Sequence, residues 1–124
     1  MTTVTPYQGC IKAALAAVDS AGGVFALANP EGRDVIVTGV YLNVTTVATG
    51  TCTVDAGIAA TATTSADTLI DGQDVHTATG ALGEKGSNGK VCKLWKDGQY
   101  LTGSVASGAS AGLVGYVYAT YIPV

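Results

Sequence analysis

Side chains able to do chemistry are nearly missing from this sequence. Its 124 residues include one His, one Arg and two Glu. No G-x-S-x-G turn presents a serine as a nucleophile, and His76, flanked by Asp74 and Thr77, reads as a solvated loop residue. An enzyme is therefore not expected. Cys10, Cys52 and Cys92 are odd in number and widely spaced, with no C-x-x-C, which leaves neither a disulfide framework nor a zinc site. Cys52 falls in phase with Val54 and Ala56, and Cys92 lies beside Val91. Both read as packed thiols, as expected of a protein that folds in a reducing compartment. Glycine-rich turns are frequent, but none has phosphate-loop or dinucleotide spacing, so no cofactor is expected.

Charge is also scarce. Lys, Arg, Asp and Glu make up 12% of the chain, against about 25% in ordinary soluble domains. A surface this poor in charge is expected to be covered by neighbouring molecules, as in an oligomer or an assembly. The net charge is −3, and four of the five lysines fall between residues 85 and 96. Those four read as a solvated loop and edge strand, so nucleic acid is not an expected partner. No apolar run approaches the length of a membrane span. The start, MTTVTPYQGC, lacks a basic n-region and an apolar h-region, so assembly inside a cell is expected.

What is present is β-strand texture. Residues 34–44 alternate cleanly, which predicts Ile36, Thr38, Val40, Leu42 and Val44 on the core face. Residues 51–58 predict a second strand with Cys52, Val54, Ala56 and Ile58 inward, joined to the first as an antiparallel hairpin. VFALA at 24–28, VCKLW at 91–95, QYLTGSV at 99–105 and LVGYVYATYI at 113–122 complete the set. The last is apolar on both faces, as befits a central strand or an interface. Residues 11–18 fit either a helix or a strand. The expected fold is all-β: a single-domain antiparallel β-sandwich, jelly-roll-like, over residues 21–124, behind an N-terminal arm of residues 1–20. Residues 59–90 are poor in large apolar groups. They read as a long excursion, holding either a short helix at 65–71 capped by Ser65 or a segment packed on another subunit.

Two constellations remain. Asp67, Asp71 and Asp74 cluster near Gly72, and carboxylate oxygens suit Ca²⁺. The spacing is not that of an EF-hand and no closing Glu follows, so helix-capping and turn roles are expected in place of a metal site. The aromatic residues gather in the C-terminal third: Trp95, Tyr100, Tyr116, Tyr118 and Tyr121. Tyr116 and Tyr118 share a face and Tyr121 points the other way. Ordinary cross-strand packing, a subunit interface or a sugar-stacking platform would each use such residues.

The strings ANPEGRDVIVTGVYLNVTT, TGTCTVDAGIAATATTSADTLIDGQDV and GLVGYVYATYIPV resemble a group of small virion proteins of tailed bacteriophages and prophages. The Asn29-Pro30-Glu31-Gly32 turn before the first long strand and the later Leu69-Ile70-Asp71-Gly72 carry the resemblance, which runs from about Gly22 to Val124. It implies a capsid decoration (cement) protein, or else a tail, baseplate or head-fibre-base component. It also implies a homotrimer on the capsid surface, with the major capsid protein as partner. A carbohydrate-binding module built on Trp95 and the tyrosines is the alternative outside the virion. Tyr7, Ile11, Leu69, Ile70, Trp95, Tyr100, Tyr116, Tyr118 and Tyr121 are the expected subunit or capsid contacts.

Overall fold

The computed structural model describes residues 9–124; Tyr7 lies outside the described residues. Among them there are nine strands and no helix: β1 Gly9–Ala14, β2 Phe25–Ala28, β3 Val35–Thr46, β4 Cys52–Ala59, β5 Ile70–Asp74, β6 Gly80–Leu82, β7 Lys93–Trp95, β8 Tyr100–Gly108 and β9 Val114–Pro123. All pairings are antiparallel. Sheet A runs β1-β9-β3-β6, with β7 also on β3, and sheet B runs β2-β8-β4-β5. The all-β antiparallel sandwich expected from the alternating pattern is what forms.

The pairings follow one scheme. With β7 set aside, β1 pairs β9, β2 pairs β8, β3 pairs β6 and β4 pairs β5. That is one long two-stranded ribbon. Wrapping it brings β9 against β3 and β8 against β4, which splits the ribbon into two sheets around one core. The core holds Val35, Val37, Leu42, Val44, Trp95, Val117 and Tyr121 from sheet A, against Phe25, Val54, Ala56, Ile70 and Leu101 from sheet B. At about 25 cal/mol per Å² of apolar surface, burial of these side chains is the main stabilising term.

Several expectations are corrected. The 34–44 strand is read in the wrong phase over its first half. Val35 and Val37 are buried while Ile36 and Thr38 face out, because a bulge between Val37 and Gly39 adds one residue opposite β9. One extra residue reverses the alternation, and Val40, Leu42 and Val44 are then inward as read. The expected hairpin of β3 with β4 does not form, since the two strands lie in different sheets. Residues 59–90 hold no helix: β5 joins sheet B and β6 joins sheet A. Residues 9–14, assigned to the arm, are a strand of sheet A paired over their whole length with β9. Cys52 is buried as expected, but Cys92 is exposed, as is Cys10, and all three are free thiols.

Candidate functional site

Alternation turns every second residue of sheet A away from the core. On β9 these are Val114, Tyr116, Tyr118, Thr120 and Ile122; on β1 they are Cys10, Lys12 and Ala14. On β3 they are Ile36 and Thr38, then Tyr41, Asn43 and Thr45 beyond the bulge. Register assembles them into rows. Lys12, Tyr118 and Tyr41 lie side by side, as do Ala14, Tyr116, Asn43 and Ala81, and Ile122, Ile36 and Leu94. Tyr41 is 48% exposed, Tyr116 38%, Ile122 41% and Leu94 41%. Lys12 is the one charged residue among these positions, and its Nζ sits 4.3 Å from the ring centre of Tyr116 and 5.6 Å from that of Tyr118. That is cation–π range, so even this charge is partly engaged by the face. Thr38 and Thr120 bond each other's hydroxyls at 2.9 Å. The face is exposed and almost uncharged.

The expected contact residues divide. Tyr116 and Tyr118 stand on this face. Tyr100 is half-buried and directed outward from sheet B, between Ala28 and Ala59. Ile11 is half-buried on the core side of β1. Leu69, Ile70, Trp95 and Tyr121 are core residues, at 2%, 1%, 0% and 4% exposure, and cannot serve as contacts in the folded chain. Trp95 is fixed further by its indole Nε1–H, which donates to the Gln99 carbonyl at 3.0 Å. The Tyr121 hydroxyl donates to Glu31 Oε2 at 2.8 Å. Burial, followed by that bond and the nearby carboxylate, raises the Tyr121 pKa. Tyr41, Ile36, Ile122 and Leu94 are the members that sequence reasoning missed. Tyr41 lies far from the aromatic cluster in sequence, and Ile36 was assigned inward by the unseen bulge.

The acidic cluster is rearranged as well. Asp55, Asp67 and Asp71 come together, each half-buried, with one oxygen apiece within 4.8 Å of the others. Asp55 on β4 reaches the group through the β4–β5 pairing, a long-range contact that local spacing does not reveal. Asp74 is elsewhere: it caps its own turn, accepting from the amides of His76 at 2.8 Å and Thr77 at 3.2 Å and from the Thr77 hydroxyl. Each carboxylate of the trio already accepts one N–H: Gly72 N on Asp55 at 2.8 Å, Asn88 Nδ2 on Asp67 at 2.9 Å and Asn88 N on Asp71 at 3.0 Å. The set is of hard oxygens suited to Ca²⁺, and the hydrogen bonds account for its position without an ion. His76 is half-buried, with Nδ1 2.7 Å from the Ala48 carbonyl.

Comparison with protein-family models, with curated proteins and with solved structures finds no match. Among the described residues, no helix is long and apolar enough to cross a membrane.

Proposed function

We propose that this chain is a non-enzymatic structural protein of a tailed-phage virion. It decorates the capsid by laying the outer face of sheet A on neighbouring major capsid subunits. One observation carries the reading: on the outer face of sheet A, Tyr41, Tyr116 and Tyr118 on one side of the Thr38–Thr120 pair and Ile36, Ile122 and Leu94 on the other share a single charge, Lys12. Tyr-rich, charge-poor surface is the composition of a protein–protein interface core. The wrapped-ribbon strand order, which we read as a jelly roll, is compatible with a shell-binding module but does not by itself specify one. Such a protein works by binding alone. Many copies, each burying around 800 Å² on its side of a contact, reinforce a lattice through multivalency.

A second reading has its own support. Tyr41 and Tyr118 are side by side and exposed to different degrees, and adjacent rings can stack a sugar. Trp95, the residue first suggested for that role, is unavailable in the core.

The test is co-sedimentation with expanded capsid shells of the phage or prophage that encodes the chain, with isolated tails and a glycan array as parallel arms. The expected result is that the native protein pellets with shells, and that a Tyr116→Asp/Tyr118→Asp double variant with unchanged melting does not. Binding to tails alone would move the protein to the tail or baseplate. Glycan binding without shell binding would replace the reading.

A further inference from the structure

We propose that β1 is where two copies of this chain join, sheet A of one running on into sheet A of the other. The observations come from the backbone of the sandwich edges rather than from its faces. On β1, Leu15 N donates to Gly115 O at 2.9 Å. In an antiparallel ladder the amides then alternate. Those of Ile11, Ala13 and Leu15 point to β9, and those of Cys10, Lys12 and Ala14 point away from it. Ala16 continues the alternation, and its outward amide is taken by the Val24 carbonyl at 2.9 Å, which ties β1 to β2 across the sandwich. Beyond that tie, among the described residues, no strand lies on the outer side of β1.

The opposite edge is closed by the chain itself. Asp71 N donates to Glu84 O at 3.2 Å, Lys90 N to Thr68 O at 2.7 Å and Glu84 N to Gln73 Oε1 at 2.7 Å, so the 83–90 loop covers the edge of β5. The two edges differ in their core residues too. Ile70 on β5 is sealed, whereas Ile11, Ala13 and Leu15 on β1 and Leu27 on β2 are core-facing yet only half-buried. The open side of β1 therefore presents free ladder groups beside an apolar seam.

Free ladder groups are satisfied by another β-strand. The occupant we assign is the same strand of a second copy, because β1 is self-complementary. With Ile11 facing Ile11 of the second copy across a two-fold axis, Cys10 stands opposite Lys12 in both directions. The outward amides and carbonyls of these residues pair, the two half-buried isoleucines cover each other, and no like charges meet. The contact is isologous and closes at two copies, in place of the trimer implied by the resemblance. This inference does not rest on the virion reading, since shell binding can fail while the two-copy contact stands.

The experiment is the native mass of the full chain over a dilution series, with amide hydrogen exchange read residue by residue. The expected mass at high concentration is twice 12.3 kDa. On dilution, the amides of Cys10 and Lys12, which pair with each other across the axis, should exchange faster by about tenfold or more, while those of Ile11 and Ala13 hold with β9. Lys12→Pro deletes the outward donor that faces Cys10 of the second copy and leaves the β9 ladder intact, a position where an edge strand accepts proline. It should run as a single copy. Exchange on the native chain serves as the readout should that variant misfold. A single-copy mass at the highest attainable concentration overturns the proposal. So does a three-copy mass, a two-copy mass in a folded Lys12→Pro variant, or protection of the two outward amides that does not change with dilution.

Discussion

The outer faces of the two sheets obey the same alternation and meet opposite fates. On sheet B the outward residues other than Tyr100 are mostly small or polar, and the chain's own loops lie over Gly57, Thr102 and Ser104. Thr102 and Ser104 are buried at 0% and 2% exposure. The Thr102 hydroxyl donates to the Thr64 carbonyl at 2.8 Å, and the Ser104 hydroxyl accepts from Gly22 N at 2.8 Å. Gly57 lets residues 66–68 approach until a Cβ at that position would stand 2.7 Å from Thr68 N. On sheet A the outward residues are tyrosines and branched aliphatics, too large to admit such a cover, and they remain exposed. Residue size on an outer face thus decides whether a loop can become a third layer. The fold completes one face internally and leaves the other open.

The largest effect expected from a single change contrasts two aromatic residues on opposite sides of sheet A. Trp95→Ala removes a fully buried side chain and should cost about 3–5 kcal/mol, read by denaturant unfolding. Tyr116→Ala, on the outer face, should stay within about 0.5 kcal/mol. A similar loss for both would mean that the outer face is part of the fold and is not held for a partner.

Next in size is a valine placed on each outer face. Gly57→Val drives a branched side chain into the backbone of Thr68 and should cost about 1–3 kcal/mol by overpacking. Asn43→Val, in the row with Tyr116, should cost no more than about 0.5 kcal/mol. If Gly57→Val were as mild, the 60–68 cover would be a loose loop and the two faces would differ less than the geometry says.

Much of this was legible in the residues. Period-two patterning located the strands at 34–44, 51–58, 99–105 and 113–122, because a half-buried strand needs only alternation. It placed Tyr116 and Tyr118 together and Tyr121 opposite. Local pattern contains no information on which strands pair, so the β3–β4 hairpin was expected where the chain in fact crosses to the other sheet. The bulge at Thr38 was invisible for a related reason: Ile36 and Val37 are equally apolar, so either phase satisfies the pattern until β9 fixes the register. The strand at 9–14 was missed as a sheet element because GCIKAA is short and its partner lies at the far end of the chain. The acidic trio needed Asp55 delivered by strand pairing, whereas the sequence offered its neighbour Asp74.

The smallest effect concerns the charges on the covered side. Asp55 stands on the sheet B outer face with Asp67 and Asp71. Burial holds its pKa above the ordinary 3.8, against the lowering effect of the Gly72 N–H and with added repulsion from Asp71 and Asp67. A carboxyl raised in the folded state favours folding while protonated. That contribution is whole below the unfolded value and is lost as pH rises through the folded one. Asp55→Asn keeps an acceptor for Gly72 N and cannot ionise, so it should melt higher than the native chain at pH 7. The gap should close as pH falls toward the ordinary carboxylate range. Asp19 and Asp74 shift the other way, held low chiefly by bonds from the hydroxyls of Ser110 and Thr77. Their stability is present above the unfolded value and is lost on acidification in both proteins, so it cancels from the difference. Melting temperatures of the pair across pH 3–7 decide the matter. A gap that does not change with pH would mean that Asp55 ionises as freely as a surface carboxylate. If the Asp55→Asn variant were less stable than the native chain at pH 7 in calcium, and more stable than it in chelator, the trio would be shown to bind a cation. The covered face would then be held by an ion as well as by its loops.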